Sequence, residues 1–417
     1  MRRNGLWRQP DFLKLWAGQA ISEIGSRISR TAVPLTAVMV LGASEFQMGI
    51  LSGAGAATVL IFGLFAGAWA DRLRRRPILI AADLGRAAVL GSIPLAAALG
   101  RLTIGHLYVV AAAAGVLTVL FDVAYQAYLP SLVERENLLE GNSKLAMSGS
   151  VAEVAGPGLT GVLVEWITAP MAILFDAVSF LCSALSVWLI RKPERRPEHR
   201  PEPHIGREIA EGLRAAWSDP LLRGLAARTI TAAFFLGFPS SLYVLFVMRD
   251  LGLRAALLGV IIAVGGAGSV IGAWFAEGLA RRFGSGRTLI GSAAVIGAAS
   301  LLVPLAHGSA AAAAAFLIAA QLGDVAWPVY TINETSLRQA VTPDHLLGRV
   351  NSAMHLLFWG VLPAGALAGG ALAQAIGIRA TLALGAVGVL LSALWLVFSP
   401  VRSRRQLAAA GEIAKKD

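Results

Sequence analysis

Twelve long apolar segments limit what this chain can fold into more than any other feature. They run roughly over residues 12–41, 46–70, 77–100, 104–127, 144–167, 170–190, 224–248, 256–280, 287–306, 310–332, 346–374 and 379–399. Stretches such as Phe46–Ala70 and Ile173–Ile190 are long enough, or nearly so, to cross a hydrocarbon layer of about 30 Å as helices. A soluble fold of 417 residues would need a polar surface, and 56% hydrophobic residues with a mean hydropathy of +0.67 cannot supply one. The chain reads as an all-α, multi-pass membrane protein.

The charge is placed asymmetrically. With the N-terminus in the cytoplasm, the outward loops hold only Arg101, Arg249, Arg254 and Arg379. Nearly all other Lys and Arg fall at cytoplasmic ends, apart from Arg27, Arg30 and Arg86 inside the segments. That bias predicts both termini in the cytoplasm. The net charge of +11 is then a topology signal, and no nucleic-acid partner is expected. Met1–Pro10 is basic, but the apolar run behind it is too long for a cleaved signal, so the first segment is predicted to be a retained helix. The lone Cys182 leaves no disulfide or thiolate metal site, and the six histidines show no metal-ligand spacing. The stretch GAGSVIG over Gly266–Gly272 sits inside an apolar segment, where small residues favour close helix packing, and no GxxxxGK[ST] phosphate loop exists. No metal, cofactor or enzymatic activity is expected.

The chain also repeats itself. GAWADRLRRR over Gly67–Arg76 is echoed by GAWFAEGLARRF over Gly272–Phe283, and DVAYQAY from Asp122 by DVAWPVY from Asp324. Asn142-Ser143 before Met147 is matched by Asn351-Ser352 before Met354. The offsets are 205, 202 and 209 and keep the same order, which favours an internal duplication. The expected organisation is a six-helix bundle over 1–190, a cytoplasmic linker over 191–223, a second bundle over 224–400 and a cytoplasmic tail over 401–417. Arg191–Pro203 reads as a solvated, Pro-rich linker. Behind it, Ile205, Ile209, Leu213 and Trp217 recur at helical spacing and predict a short amphipathic helix along the cytoplasmic interface.

These residues carry a family resemblance from about Phe12 to Ser399. Gly67, Asp71, Arg72, Arg75 and Arg76 resemble the signature loop between helices two and three of the major facilitator superfamily. Gly156, Pro157 and Gly161 resemble its Gly-Pro antiporter motif, with Thr160 where that motif has glycine. The phrases FDVAYQAYLPSLVERENLLEGNS, REIAEGLRAAWSDPLLRGL and PDHLLGRVNSAM are similar to the branch containing enterobactin exporters and macrolide and other drug efflux pumps. The resemblance implies the major facilitator fold: twelve transmembrane helices in two pseudo-symmetric six-helix bundles, parallel repeats about an axis along the membrane normal. The fourth segment lacks the intramembrane arginine many drug–proton antiporters carry, so no proton route is carried over.

The resemblance assigns the signature loop to gating, with Asp71 holding helix ends together on the closed cytoplasmic side. A carboxylate at a helix N-terminus contributes roughly 0.3–1 kcal/mol, a size suited to reversible breaking. The alternative is that Arg72–Arg76 only fix topology and bind anionic lipid. Glu277, Asp122 and Asp324 are further gate candidates, the two aspartates being pseudo-symmetric with aromatics three and six residues on. Inside the membrane, Glu23, Arg27 and Arg30 share one stripe of the first helix with Gln19, and Glu153 reaches similar depth on the fifth. The spacing predicts a static Glu23–Arg27 pair; the alternative is proton exchange between these carboxylates and a substrate cavity. Asp83 and Arg86, three apart, read as a structural pair, and Asp176 has no evident partner.

The expected function is secondary export of an amphiphilic small molecule, drug-, antibiotic- or siderophore-like, across a bacterial cytoplasmic membrane, exchanged for protons by a monomer embedded in the bilayer. Uptake or facilitated transport is the alternative reading, and a non-transporting receptor or scaffold a more distant one.

Overall fold

The computed structural model describes residues 5–70, 74–194 and 205–403, and every regular element among them is helical. Asp71, Arg72, most of the Pro-rich linker and most of the tail lie outside the described residues. Two compact units emerge. The first takes in Met1–Pro203 and Leu253–Ala263, and holds α1 (Pro10–Met39), α2 (Glu45–Ala70), α3 (Arg75–Ala98), α4 (Ile104–Leu132), α5 (Leu138–Trp166) and α6 (Ala169–Trp188). The second takes in His204–Gly252 and Val264–Asp417. It starts with α7 (Ile205–Ser218) and α8 (Pro220–Leu245), and holds most of α9 (Ala255–Phe283) and all of α10 (Ser285–Ser300). After the single turn α11 (Leu302–Leu305) come α12 (Ala310–Leu322), α13 (Ala326–Val341), α14 (Asp344–Ile376), α15 (Ile378–Ser392) and the short α16 (Leu394–Val397).

Among the described residues, ten helical stretches are long and apolar enough to cross a membrane. The long helices outside that set are α1 and α5, whose charges include Glu23, Arg27, Arg30 and Glu153. Sidedness inverts that of a soluble protein. On α6, Phe175, Val178, Leu181 and Leu185 are exposed, while Asp176, Ser179 and Ser183 are buried against neighbouring helices. Lipid solvates the apolar face, and polar groups turn inward because hydrocarbon offers them no hydrogen bonds.

Small residues set the helix spacing. A methyl group on Gly365 would collide with the Phe234 carbonyl, and one on Gly237 with the Ala366 amide, so α8 and α14 touch backbone to backbone. The first unit centres on Phe12, Leu15, Leu79, Phe121 and Tyr128, the second on Leu222, Leu225, Tyr330, Val350 and Leu396.

The amphipathic helix is present as α7 and docks on α14. Gly212 lies against the Arg349 carbonyl, Ala216 is buried, Trp217 is exposed, and Glu211 pairs with Arg349 at 2.7 Å. The start of the linker is exposed but anchored: the amides of Arg191 and Lys192 donate to the Asp11 carboxylate at 3.2 and 3.0 Å. Lys192 Nζ donates to the Leu132 carbonyl at 2.8 Å, strapping this segment to the first unit.

Candidate functional site

The charged stripe of α1 faces α5 and α6. Gln19 donates to Ser183 Oγ at 3.3 Å, and Gly25 packs on Ser179 and Asp176. Arg27 forms its ion pair with Glu153 of α5, not with Glu23 as the local spacing suggested. Glu23 lies instead against Gly149 of α5. Gly156 explains the choice: any Cβ there would overlap the Arg27 side chain, so its absence lets α5 close onto α1 and brings Glu153 within reach. The Glu153 side chain is 43% exposed against 17% for Arg27, so the pair is open on its acidic side. Arg30, about three turns beyond Gln19, is exposed.

The antiporter-like motif is a packing device on both of its faces. Beyond Gly156, a Cβ on Gly161 would meet the carbonyl of Ala255 at 2.6 Å, and Gly259 abuts the Pro157 carbonyl. Thr160 fits where glycine stood in the motif because its hydroxyl folds back to the Gly156 carbonyl at 2.8 Å. At the end of α5, Glu165 accepts from the Ala256 amide at 3.3 Å and lies 3.8 Å from Arg254, both within the first unit.

Deeper in the same unit, Asp83 and Arg86 pair as their spacing indicated, with side chains 0% and 5% exposed. The guanidinium is sandwiched by Phe121 at 4.2 Å and Phe180 at 4.1 Å. Asp176 is not without a partner: Ser179 Oγ donates to it at 3.2 Å.

At the signature loop, Gly67 lies in α2 and Arg75 opens α3. A carboxylate does cap α3, and it belongs to Glu194. The Arg75 amide donates to Glu194 Oε1 at 2.7 Å and the Arg76 amide to Oε2 at 3.1 Å, while the Arg76 guanidinium reaches the Trp188 carbonyl. Both orphan amides of the first turn are thus satisfied by an anion at the positive end of the helix. Sequence reasoning missed Glu194 because it sits in a charge-rich run that reads as solvated.

The two repeat aspartates differ. Asp122 stands exposed on the continuous helix α4, whereas Asp324 sits in a 3₁₀ turn, Gly323–Val325, between α12 and α13, beside Gly265. Glu277 pairs with Arg281 at 3.1 Å on an exposed surface. Sequence reasoning also missed a polar cluster in the second unit, where Glu334 pairs with Arg338 at 2.6 Å and Arg338 Nε donates to Asn351 at 2.8 Å. The four-residue spacing of Glu334 and Arg338 was a usable signal. Among the described residues no group of His, Cys, Asp and Glu has the geometry to hold a metal ion.

Comparison with known proteins places this architecture. The profile of the Major Facilitator Superfamily matches residues 15–364. The chain belongs to the Major Facilitator Superfamily. It is therefore a membrane transporter and not an enzyme. Multidrug efflux pump Tap of Mycolicibacterium fortuitum is 26% identical over 402 residues, covering 92% of this chain and 94% of that protein. Macrolide efflux protein A of Streptococcus pyogenes is 25% identical over 203 residues, 48% of this chain and 50% of the other. Among solved structures, a bacterial homologue of the iron transporter ferroportin superposes with a TM-score of 0.73 at 20% identity, covering 95% of this chain and 100% of that one. The nucleoside transporter NupG gives 0.73 at 10% identity, covering 93% and 98%. At such identities the structures speak for the superfamily fold alone.

Proposed function

We propose that this superfamily transporter exports amphiphilic small molecules from a bacterial cytoplasm by alternating access, in exchange for inward-moving protons, as a monomer with both termini cytoplasmic. The near end-to-end similarity to a multidrug efflux pump carries the export reading. The crowding of Lys and Arg at one set of segment ends supports the orientation.

The proton reading rests on the Arg27–Glu153 pair, with Glu23 beside it on the same helix face. An ionised Glu153 holds Arg27; a proton arriving at its exposed side neutralises the carboxylate and frees the guanidinium. The drive is adequate, since one charge crossing about 100 mV contributes roughly 2.3 kcal/mol, about a 40-fold gradient of a neutral substrate. Gating remains assigned to Gly67, Asp71, Arg72, Arg75 and Arg76, with Asp122, Asp324 and Glu277 as second-copy or inner-side elements.

The test loads an efflux-deficient bacterial host with ethidium, erythromycin or esterase-released fluorescein, with and without a protonophore. Expression should lower retention of at least one probe, and the protonophore should restore it. Replacing Glu153 by Gln should abolish that protonophore sensitivity. Unchanged retention of all three probes would contradict export of these classes.

A further inference from the structure

The second unit holds a cavity that the export reading does not use. It measures about 400 Å³ and is lined by α8, α13 and α14. That is within the range of small-molecule sites, about 300–1,000 Å³. Its walls are aromatic, with Trp327, Tyr330, Phe358 and Trp359 around His355. Trp327 and Phe358 meet edge to face at 6.5 Å, and Phe358 and Trp359 at 5.5 Å.

Arg228 lies on this wall, the ninth residue of α8 and thus about 12 Å along it at 1.5 Å per residue. It is 3% exposed, and its guanidinium sits 3.7 Å over the Tyr330 ring. Its Nε and Nη2 have no hydrogen-bond partner. A ring receives the face of a guanidinium and leaves the in-plane N–H donors unused, so Tyr330 does not satisfy them. Glu334 on the same wall feels both Arg338 and Arg228, but its close contact, at 2.6 Å, goes to Arg338. Two arginines against one glutamate leave the wall with one positive charge.

Two buried guanidinium nitrogens without a hydrogen-bond acceptor are costly, and a ligand that brings one removes the cost. Guanidinium matches a planar carboxylate or a sulfonate with two parallel hydrogen bonds. Flat aromatic walls suit an aromatic body. We propose that this cavity binds an amphiphilic organic anion, its aromatic body among Trp327, Phe358 and Trp359 and its acid group on Arg228. As the substrate class of the exporter the proposal rests on the export reading; as a binding site it does not.

The full chain in phosphatidylcholine nanodiscs is titrated with para-nitrobenzoate, para-nitrobenzyl alcohol and para-nitrobenzylamine, following tryptophan quenching against empty nanodiscs. The three share a quenching ring and differ in charge. The benzoate should bind at least about tenfold tighter than the amine, with the alcohol between them. Arg228→Gln should weaken the benzoate about tenfold and leave the alcohol within about twofold, and Arg228→Lys should keep part of the preference. Equal affinity of benzoate and amine in the unmodified protein overturns the proposal, and that arm can be read even if Arg228→Gln does not fold. So does an undiminished anion preference in a folded Arg228→Gln protein. Benzoate binding that survives replacement of the lipid by phosphatidylglycerol assigns the site to a soluble anion; its loss assigns the site to a lipid phosphate and overturns the aromatic acid. Export that fails while benzoate binding holds counts against the transport reading alone.

Discussion

In the first unit Arg27 and Arg86 each pair with a carboxylate, Glu153 and Asp83, and each leaves only its Nε unsatisfied, whereas in the second Arg228 faces the ring of Tyr330 with both Nε and Nη2 unsatisfied. The two units share repeated phrases and a buried tyrosine at matching positions, Tyr128 and Tyr330. The repeated phrases keep their aspartates, Asp122 and Asp324, while the surroundings of the buried arginines differ. The first unit pairs two of its membrane arginines with carboxylates, the contacts on which the proposed coupling rests. The second keeps one positive charge in an aromatic cavity. Paired charges suit coupling, and an unpaired one suits recognition.

Substitutions can break this contrast. Replacing Arg86 by Met leaves Asp83 buried and unpaired, and should destabilise the protein by about 3–5 kcal/mol. A double change that also converts Asp83 to Leu should recover most of it. Thermal unfolding in detergent by size-exclusion recovery reads both, and equal melting of the single and double variants would deny the pair its role. Gly156→Val forces α5 away from Arg27, with an overpacking cost of about 1–3 kcal/mol. It should abolish protonophore-sensitive efflux even where folded protein is recovered; retained efflux would separate the Arg27–Glu153 contact from coupling.

Smaller effects sharpen the comparison. Glu194→Gln keeps the shape but removes the anion capping α3, and should cost about 1 kcal/mol, less at high salt. A salt-independent loss would point to packing and not to charge. Arg228→Met is the counterpart of Arg86→Met, yet no carboxylate is orphaned by it. Its stability should stay within about 1 kcal/mol of the parent, the loss of one cation–π contact being offset by relief of an unsatisfied guanidinium. Destabilisation as large as that of Arg86→Met would erase the distinction between the units.

The fold could be read from hydropathy, repeats and charge placement, because each is a sum over many residues and tolerates local error. Pairs within one helix were also readable, as with Asp83 and Arg86. Pairs across helices were not. The i, i+4 rule offered Glu23 to Arg27, but helix packing at Gly156 delivered Glu153, which lies far away in sequence. Glu194 was assigned to solvent because linkers rich in charge usually stay there, and the α3 amides that hold it give no local signal. Arg228 was not singled out although it lies within the segment 224–248, since its contact across helices with Tyr330 gives no local signal.

The most direct test of the central claim is efflux from preloaded cells expressing the Glu153→Gln variant, measured with and without a protonophore beside the unmodified protein. The account predicts that the unmodified protein clears its probe in a protonophore-sensitive manner and that the variant, present at equal level in the membrane, does not. Protonophore-sensitive clearance by the variant at the unmodified rate would contradict it.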